Sequence, residues 1–196
     1  MTLDNMRDFL RALDEAGELV RVTEPVSTVK EITEVTDRCM KSPGGGPALF
    51  FERPVLANGK VSRVPLAINL FGSAKRMALS LGVTSLDEIG ARIEKMLVTK
   101  VPDGFLEKLA MLPRLAEIAK FPPRTGTDTP PCQAVVLKGD AADLTELPHL
   151  FCWPEDGGHY ITLPMVITAD PTTGVRNVGM YRVMVQGPRE LAMHWQ

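Results

Sequence analysis

Three residues near the end of the sequence, Asn177, Arg182 and His194, have side chains that can bind metal ions or anions. An amide oxygen and an imidazole nitrogen together suit a divalent ion of intermediate hardness, such as Mn²⁺ or Mg²⁺. A guanidinium is always charged and matches the geometry of a carboxylate or a phosphate. Two protein ligands do not complete a metal site, so a carboxylate and an anionic ligand would have to complete it. On residue types alone, a histidine between Met193 and Trp195 is more often a half-buried, hydrogen-bonded residue than a metal ligand.

The element that must position these three side chains is predicted to be a β-hairpin. Its arms are residues 175–186 and 190–196, and a Gly-Pro turn at residues 187–188 joins them. The second arm returns toward the start of the first. The amide, the guanidinium and the imidazole are therefore expected to converge on one sheet.

Two glycine-containing segments are further candidates for a site. The GGG at residues 44–46 could bind phosphate, but no Lys-Ser or Lys-Thr follows and a strand comes next, which favours a flexible connection. The WPEDGGH segment at residues 153–159 has adjacent acids beside a histidine, as in a metal loop or an acid/base pair. Neighbouring side chains diverge, so a polar surface turn is an equal alternative. His149 is given no role.

Composition excludes several classes of protein. With 44% apolar residues, 23% charged residues and a net charge of −2, the chain has no electrostatic footprint for nucleic acid or anionic lipid. No apolar run approaches the length of a transmembrane helix, and no secretory signal is visible. Cys39, Cys132 and Cys152 are odd in number and far apart, which indicates reduced, mostly buried thiols in a cytoplasmic protein.

The first 121 residues are predicted to form an α+β domain. Apolar periodicity predicts helices near residues 3–13, 31–39, 74–81, 86–97 and 103–120, with strands at 18–22, 48–52 and 64–70. Gly17 is expected to end the first helix, and a capping box of Thr28 and Glu31 to open the second.

A proline-rich break at residues 121–131 predicts the domain boundary, with domains at 1–121 and 122–196. Beyond the break the pattern predicts strands at residues 133–138 and 160–169, followed by the terminal hairpin. The fold class is therefore α+β, with the opening strands of a mainly β domain in the second part.

Six sequence blocks, in the same order, resemble the UbiD family of prenylated-FMN-dependent decarboxylases. They are RDFLRALDEAGELVRV at 7–22, EITEVTDR at 31–38, GGPALFFE at 45–52, NLFGSAKRMA at 69–78, LPHLFCWPEDGGHYIT at 147–162, and NVGMYRVMV with MHW within 177–195. The resemblance covers nearly the whole chain. It implies that the second domain is the start of a split β-barrel of the flavin-reductase type.

The resemblance also implies an activity like that of 3-polyprenyl-4-hydroxybenzoate carboxy-lyase. Such an enzyme is a lyase that decarboxylates an aromatic or α,β-unsaturated carboxylic acid without oxidation. The default substrate is 3-polyprenyl-4-hydroxybenzoate, in ubiquinone biosynthesis. The expected partners are a flavin prenyltransferase that supplies the cofactor and further copies of the chain, with no nucleic acid. A lipid-like substrate would bring the cytoplasmic enzyme to a membrane surface.

Site residues follow from the resemblance position by position. Arg182 matches the catalytic arginine, which acts with acidic partners near the substrate carboxylate. Asn177 and His194 match ligands of Mn²⁺, with K⁺ as a further ion, although some members have an arginine at the histidine position. The expected cofactor-binding residues are Met180, Tyr181, Arg182, Met193, His194, Trp195 and Gln196. The third metal ligand and the proton donor are expected beyond Gln196.

The chain resembles roughly the first two-fifths of a full-length member. A fragment of a longer enzyme, inactive by itself, is therefore the favoured expectation. The alternative is a non-catalytic subunit or binding module that needs a partner chain to complete the site. A flavin-independent scaffold is disfavoured because Asn177, Arg182 and His194 are retained together.

Overall fold

The computed structural model describes residues 3–97 and 128–194, together with residues 116, 119 and 126. The chain divides into two compact units, one of residues 1–86 and 139–196 and one of residues 87–138. The predicted boundary at residue 121 lies outside the described residues, as does nearly all of the helix predicted over 103–120. The described fold is α+β, as predicted.

Four helices and ten strands are described. The helices are α1 (Met6–Glu15), α2 (Glu31–Met40), α3 (Ala74–Ser80) and α4 (Leu86–Leu97). The strands are β1 (Leu19–Val22), β2 (Val26–Ser27), β3 (Ala48–Phe51), β4 (Pro54–Val55), β5 (Leu66–Ile68), β6 (His159–Ile161), β7 (Met165–Ala169), β8 (Arg176–Met180), β9 (Val183–Gly187) and β10 (Glu190–Met193). None of the helices in the described part of the chain is long and apolar enough to span a bilayer.

The N-terminal elements of the first unit agree with the sequence prediction. Strand β3 pairs in parallel with β1 and antiparallel with β5. Helix α1 begins at the cap Asn5, whose side chain accepts two backbone N–H bonds, and it buries Phe9 and Leu13. Gly17 follows the helix with φ +69°, a conformation that glycine adopts without steric cost.

The start of helix α2 differs from the prediction. The Thr28 hydroxyl donates to the Val55 carbonyl at 3.0 Å and so does not cap the helix. The helix begins at Glu31, after Lys30 with φ +69°. The Glu31 carboxylate still reaches back, but to the backbone N–H of Ser27, at 2.9 Å. The buried hydroxyl of Thr28 satisfies the neighbouring strand instead of the helix.

The GGG loop is packed in place, so the predicted flexible connection is wrong. Arg76 is buried, and its guanidinium donates to the Gly46 carbonyl at 2.6 Å and to Glu18 at 3.1 Å. Asn69 donates to the Gly45 carbonyl at 2.9 Å. A Cβ on Gly46 would lie 2.2 Å from the backbone oxygen of Cys39, so only glycine fits. The loop carbonyls accept hydrogen bonds from the positively charged Arg76 side chain. A phosphate site would instead present N–H donors to an anion.

Three predictions in the C-terminal part are wrong. Residues 133–138 contain no strand, because Pro130 and Pro131 lead into a short 3₁₀ turn at Pro131–Gln133. The predicted strand 160–169 is divided into β6 and β7 before Pro164, which has no N–H for a sheet. The predicted arm 175–186 is also two strands, because β8 pairs with β7 while β9 pairs with β6 and β10.

The hairpin itself is confirmed. Strands β9 and β10 pair antiparallel on either side of the Gly-Pro turn, with Met193 opposite Val183. The described strands form four separate sheets, of orders β1-β3-β5, β10-β9-β6, β2-β4 and β7-β8. The split barrel therefore remains a prediction.

Candidate functional site

Arg182 lies at the break between β8 and β9, at one end of the β10-β9-β6 sheet. The β6–β9 register sets Tyr160 opposite Met184, so Tyr160 and Arg182 are diagonal neighbours on one face. The guanidinium carbon lies 4.1 Å from the centroid of the Tyr160 ring, within cation–π distance. The Arg182 side chain is 53% exposed, so part of the guanidinium faces solvent.

Asp156 is the acidic partner of Arg182 within the described residues. Its Oδ2 lies 3.6 Å from Nη2 of Arg182. The same oxygen accepts a hydrogen bond from the Trp153 backbone N–H at 3.0 Å, and the Asp156 N–H donates to the Trp153 carbonyl at 3.0 Å. The WPEDGGH segment is therefore a turn, as one of the two alternatives proposed. The turn also carries an acid to the arginine.

The N-terminal elements hold this turn in place. Leu150 is buried in the core of the first unit, against Ile32, Leu49 and Phe51. The Phe151 N–H donates to the Thr28 carbonyl at 3.0 Å, next to β2. Leu150 also bridges to Tyr160, at the start of β6. The segment before the turn is therefore fixed on both sides, and the turn follows two residues later.

Two histidines lie beside this site: His149, to which the sequence assigned no role, and His159, the histidine of the WPEDGGH segment. Nδ1 of His159 donates to the His149 carbonyl at 2.8 Å. Nε2 of His149 is buried and has no hydrogen-bond partner among the described residues. Burial lowers the pKa of His149, with a smaller contribution from His159, against a backbone hydrogen bond with Leu144. Burial therefore favours the neutral form of His149, which lines a cavity of about 430 Å³ beside β5.

The two predicted metal ligands lie on different sheets. Asn177 is on β8, opposite Thr168 of β7. His194 follows β10, and the hairpin register continued by one residue sets it opposite Arg182. The expected convergence of all three side chains on one sheet is therefore wrong for Asn177. No cluster of three or more histidine, cysteine, aspartate or glutamate residues suits a metal within the described ranges 3–97 and 128–194.

The remaining predicted site residues flank the same sheet end. Met180 is 70% exposed and lies opposite Met165 of β7, which is 73% exposed. Tyr181 packs across Gly179, where a Cβ would lie 2.6 Å from its ring. Met193 is half-buried on β10. Trp195 and Gln196 lie outside the described residues.

Comparisons with known proteins agree with this fold. The family model of the UbiD 3-octaprenyl-4-hydroxybenzoate carboxy-lyase N-terminal domain matches residues 10–93. The model of the UbiD Rift-related domain of the same carboxy-lyase matches residues 124–196. The chain belongs to the UbiD family, which confirms the resemblance seen in the six sequence blocks.

The relatives are much longer than this chain. An uncharacterized protein of Aquifex aeolicus is 46% identical over 192 residues, which are 98% of this chain and 38% of that protein. Vanillic acid decarboxylase of Sedimentibacter hydroxybenzoicus, in its closed form, is 26% identical with a TM-score of 0.74, over 98% of this chain and 37% of the other. An evolved dimeric form of the UbiD-class enzyme HmfF of Pelotomaculum thermopropionicum, in complex with prFMN, is 27% identical with a TM-score of 0.64, over 97% and 38%.

Proposed function

We propose that this chain is the N-terminal part of a carboxy-lyase that decarboxylates an aromatic or α,β-unsaturated carboxylic acid with prenylated FMN. Family membership and the half-exposed guanidinium of Arg182 support the proposal. The chain spans 38% of the length of its Aquifex relative, so the activity is proposed for the complete protein. A hydroxylated benzoic acid is the proposed substrate class, with 3-polyprenyl-4-hydroxybenzoate in ubiquinone biosynthesis as its default member.

The residues around Arg182 fit prenylated FMN in kind. Met165 and Met180 form an exposed apolar pair on β7 and β8, and Tyr181 and Arg182 follow Met180 directly in the sequence. An exposed apolar pair followed by a tyrosine suits the planar ring system of a flavin. The solved relative in complex with prFMN supports the same choice of cofactor. We propose Met180, Tyr181, Arg182, Met193, His194, Trp195 and Gln196 as cofactor-binding residues.

The chemistry divides between the cofactor and the protein. Loss of CO₂ from an sp² carbon leaves an electron pair, for which the cofactor supplies the electron sink. Arg182 would bind the substrate carboxylate through its solvent-facing N–H groups and keep it ionised, since the guanidinium stays protonated throughout. Fixing the carboxylate also fixes the scissile bond relative to the cofactor, which lowers the entropic part of the barrier.

Asn177 and His194 are proposed as two ligands of Mn²⁺ near the cofactor phosphate. Their oxygen and nitrogen donors fit the ion, and K⁺ is a further candidate. Because the two residues lie on different sheets and the described residues hold no larger cluster, no step of the reaction is assigned to the metal.

Several finer features are proposed from family membership. Residues 122–196 would be the first strands of a split β-barrel, with 1–121 as the preceding domain. A flavin prenyltransferase would supply the cofactor, and the complete protein would be a homo-oligomer. A cytoplasmic location agrees with three unpaired cysteines. A lipid-like substrate would add contact with a membrane surface.

The direct test exchanges one arginine. A chimera would carry residues 1–196 in place of the matched 37% of the Sedimentibacter decarboxylase and be co-expressed with a flavin prenyltransferase. CO₂ release from hydroxylated benzoic acids would be measured. Arg182→Ala is expected to lower kcat/KM by about 100-fold or more, as for loss of one preorganised donor, while flavin content stays close to wild type.

Arg189→Ala is the matched control, because Arg189 lies in the same hairpin, is 58% exposed and pairs with Asp140. It is expected to leave turnover nearly unchanged. Equal turnover in the two variants would refute the role of Arg182. A folded chimera that binds flavin but releases no CO₂ from any acid would favour a non-catalytic binding module instead.

A further inference from the structure

We propose that Asp156, together with Tyr160, is a positioning residue that holds the Arg182 guanidinium ready for a substrate carboxylate. This inference rests on the proposed function and names residues that the sequence blocks alone did not assign. Neither residue needs to touch the substrate or the cofactor. Each acts through the arginine.

Within the part of the chain that the structure describes, two neighbours contact the Arg182 guanidinium and leave part of it exposed. The Tyr160 ring covers one face at 4.1 Å, and the Asp156 carboxylate lies beside one terminal nitrogen at 3.6 Å. A guanidinium has five N–H donors in a rigid fork, so these two neighbours do not use them all. With the side chain 53% exposed, the remaining donors are accessible to a ligand.

The length of the ion pair matters. At 3.6 Å the contact is longer than a hydrogen bond, so Asp156 attracts Arg182 without engaging both prongs of the fork. A bidentate pair would leave less of the guanidinium for a second carboxylate. The ion pair can therefore orient the Arg182 side chain without occupying the N–H groups that would bind a substrate carboxylate.

Asp156 itself is held firmly enough to orient a partner. Its side chain is 16% exposed, and its carboxylate accepts the Trp153 N–H across the turn. The turn follows Leu150, which is buried in the core. An exposed arginine on a flexible stem gains order when a ring and a fixed carboxylate confine it, and preordering lowers the entropic cost of binding.

Two variants separate positioning from a purely structural role. Asp156→Asn removes the charge but keeps an oxygen that can accept the Trp153 N–H, so the turn should persist. Glu155→Gln removes one negative charge at the preceding, exposed position and serves as its control. Tyr160→Leu removes the ring from the guanidinium, while Tyr160→Phe keeps the ring and removes only the hydroxyl.

The readout is the order of the Arg182 side chain in the ¹⁵N-labelled 196-residue chain. For Arg182 Nε, wild type, Glu155→Gln and Tyr160→Phe are expected to give an order parameter near the rigid range of about 0.85. Asp156→Asn and Tyr160→Leu should lower it below about 0.6. An Arg182 side chain that is already mobile in wild type overturns the inference without any variant. So does an unchanged order parameter in Asp156→Asn.

A second measurement distinguishes positioning from competition. If Asp156 occupied the place of the substrate carboxylate, its removal would free Arg182 and tighten the binding of benzoate. Benzoate titrations followed by NMR are expected to give Asp156→Asn an affinity no higher than that of Glu155→Gln. An affinity tenfold higher in Asp156→Asn overturns the inference in favour of a competing carboxylate.

The inference and the proposed function can fail separately. The order of Arg182 is measured without cofactor or turnover, whereas the exchange of Arg182 in the chimera measures decarboxylation. An ordered Arg182 in a chimera that never decarboxylates would refute the proposed function alone. A mobile Arg182 in an active chimera would refute the inference alone.

Discussion

The buried cation Arg76 offers the sharpest test of how this fold is held together. Two cations share the carboxylate of Glu18, Arg76 at 3.1 Å and Lys75 at 2.7 Å. The Arg76 side chain is 1% exposed and also donates to the Gly46 carbonyl, whereas the Lys75 side chain is 64% exposed. The two ion pairs of Glu18 are therefore similar in length, but the Arg76 side chain is buried and the Lys75 side chain is exposed.

The expected magnitudes follow from that difference. Arg76→Met removes the charged donor of two hydrogen bonds, to Glu18 and to the Gly46 carbonyl, worth about 1.5–3 kcal/mol each, and of a longer third one, 3.5 Å, to the Gly45 carbonyl. Glu18 remains paired with Lys75 and partly exposed, so a value near the lower end, about 3 kcal/mol, is expected. Lys75→Met removes an ion pair whose lysine is largely exposed, worth about 0–1 kcal/mol, and a 3.5 Å hydrogen bond to the Ala16 carbonyl.

Urea unfolding followed by the combined fluorescence of the two tryptophans, Trp153 and Trp195, measures both changes. With a slope of about 1–3 kcal/mol per molar urea, Arg76→Met should lower the unfolding midpoint by about 1–3 M. Lys75→Met should lower it by less than half as much. Equal shifts in the two variants would show that burial of Arg76 does not decide its contribution and would refute this account of the glycine loop.

Two other predictions concern the glycine loop and the Glu18 carboxylate. In urea titrations, Gly46→Ala should destabilise the chain by about 3 kcal/mol or more, because the new Cβ would lie 2.2 Å from the backbone oxygen of Cys39. Gly17→Ala should cost only about 1–2 kcal/mol, because its Cβ meets nothing within 4 Å. Hydrogen bonding by Lys75 is the largest cause that lowers the pKa of Glu18 below 4.5. The ionised Glu18 carboxylate therefore contributes to folding stability above pH 4.5, and this contribution is lost as the pH falls through the lower pKa of the folded state. The urea midpoint of Glu18→Gln should depend less on pH in that window than the wild-type midpoint does.

The N-terminal elements could be predicted because their signals are local. Apolar periodicity set α1 and α3, and Gly17 ended the first helix with the positive φ that its position requires. The short apolar strands β1 and β3 lie where the sequence predicted them. The position of α2 was also correct, but its cap was not, since Thr28 bonds across to Val55, 27 residues away.

The site could be predicted only in part. Residue types and the family resemblance indicated Arg182, and the Gly-Pro turn indicated the hairpin that follows it. The division of residues 175–186 into two strands depends on pairing with β6 and β7, which no local pattern encodes. The contacts of Asp156 with Arg182, and of Arg76 with the glycine loop, join segments 26 and 30 residues apart.

Residues 1–196 are proposed to carry cofactor-binding and carboxylate-binding parts of a UbiD-type decarboxylase. The most direct measurement is the flavin content of the chain and of the chimera after co-expression with a flavin prenyltransferase in the presence of Mn²⁺. Absorption spectra and the mass of the bound ligand would be recorded after gel filtration. The account predicts stoichiometric prenylated FMN in the folded chimera, retained in Arg182→Ala. A folded chimera that contains no flavin would contradict it.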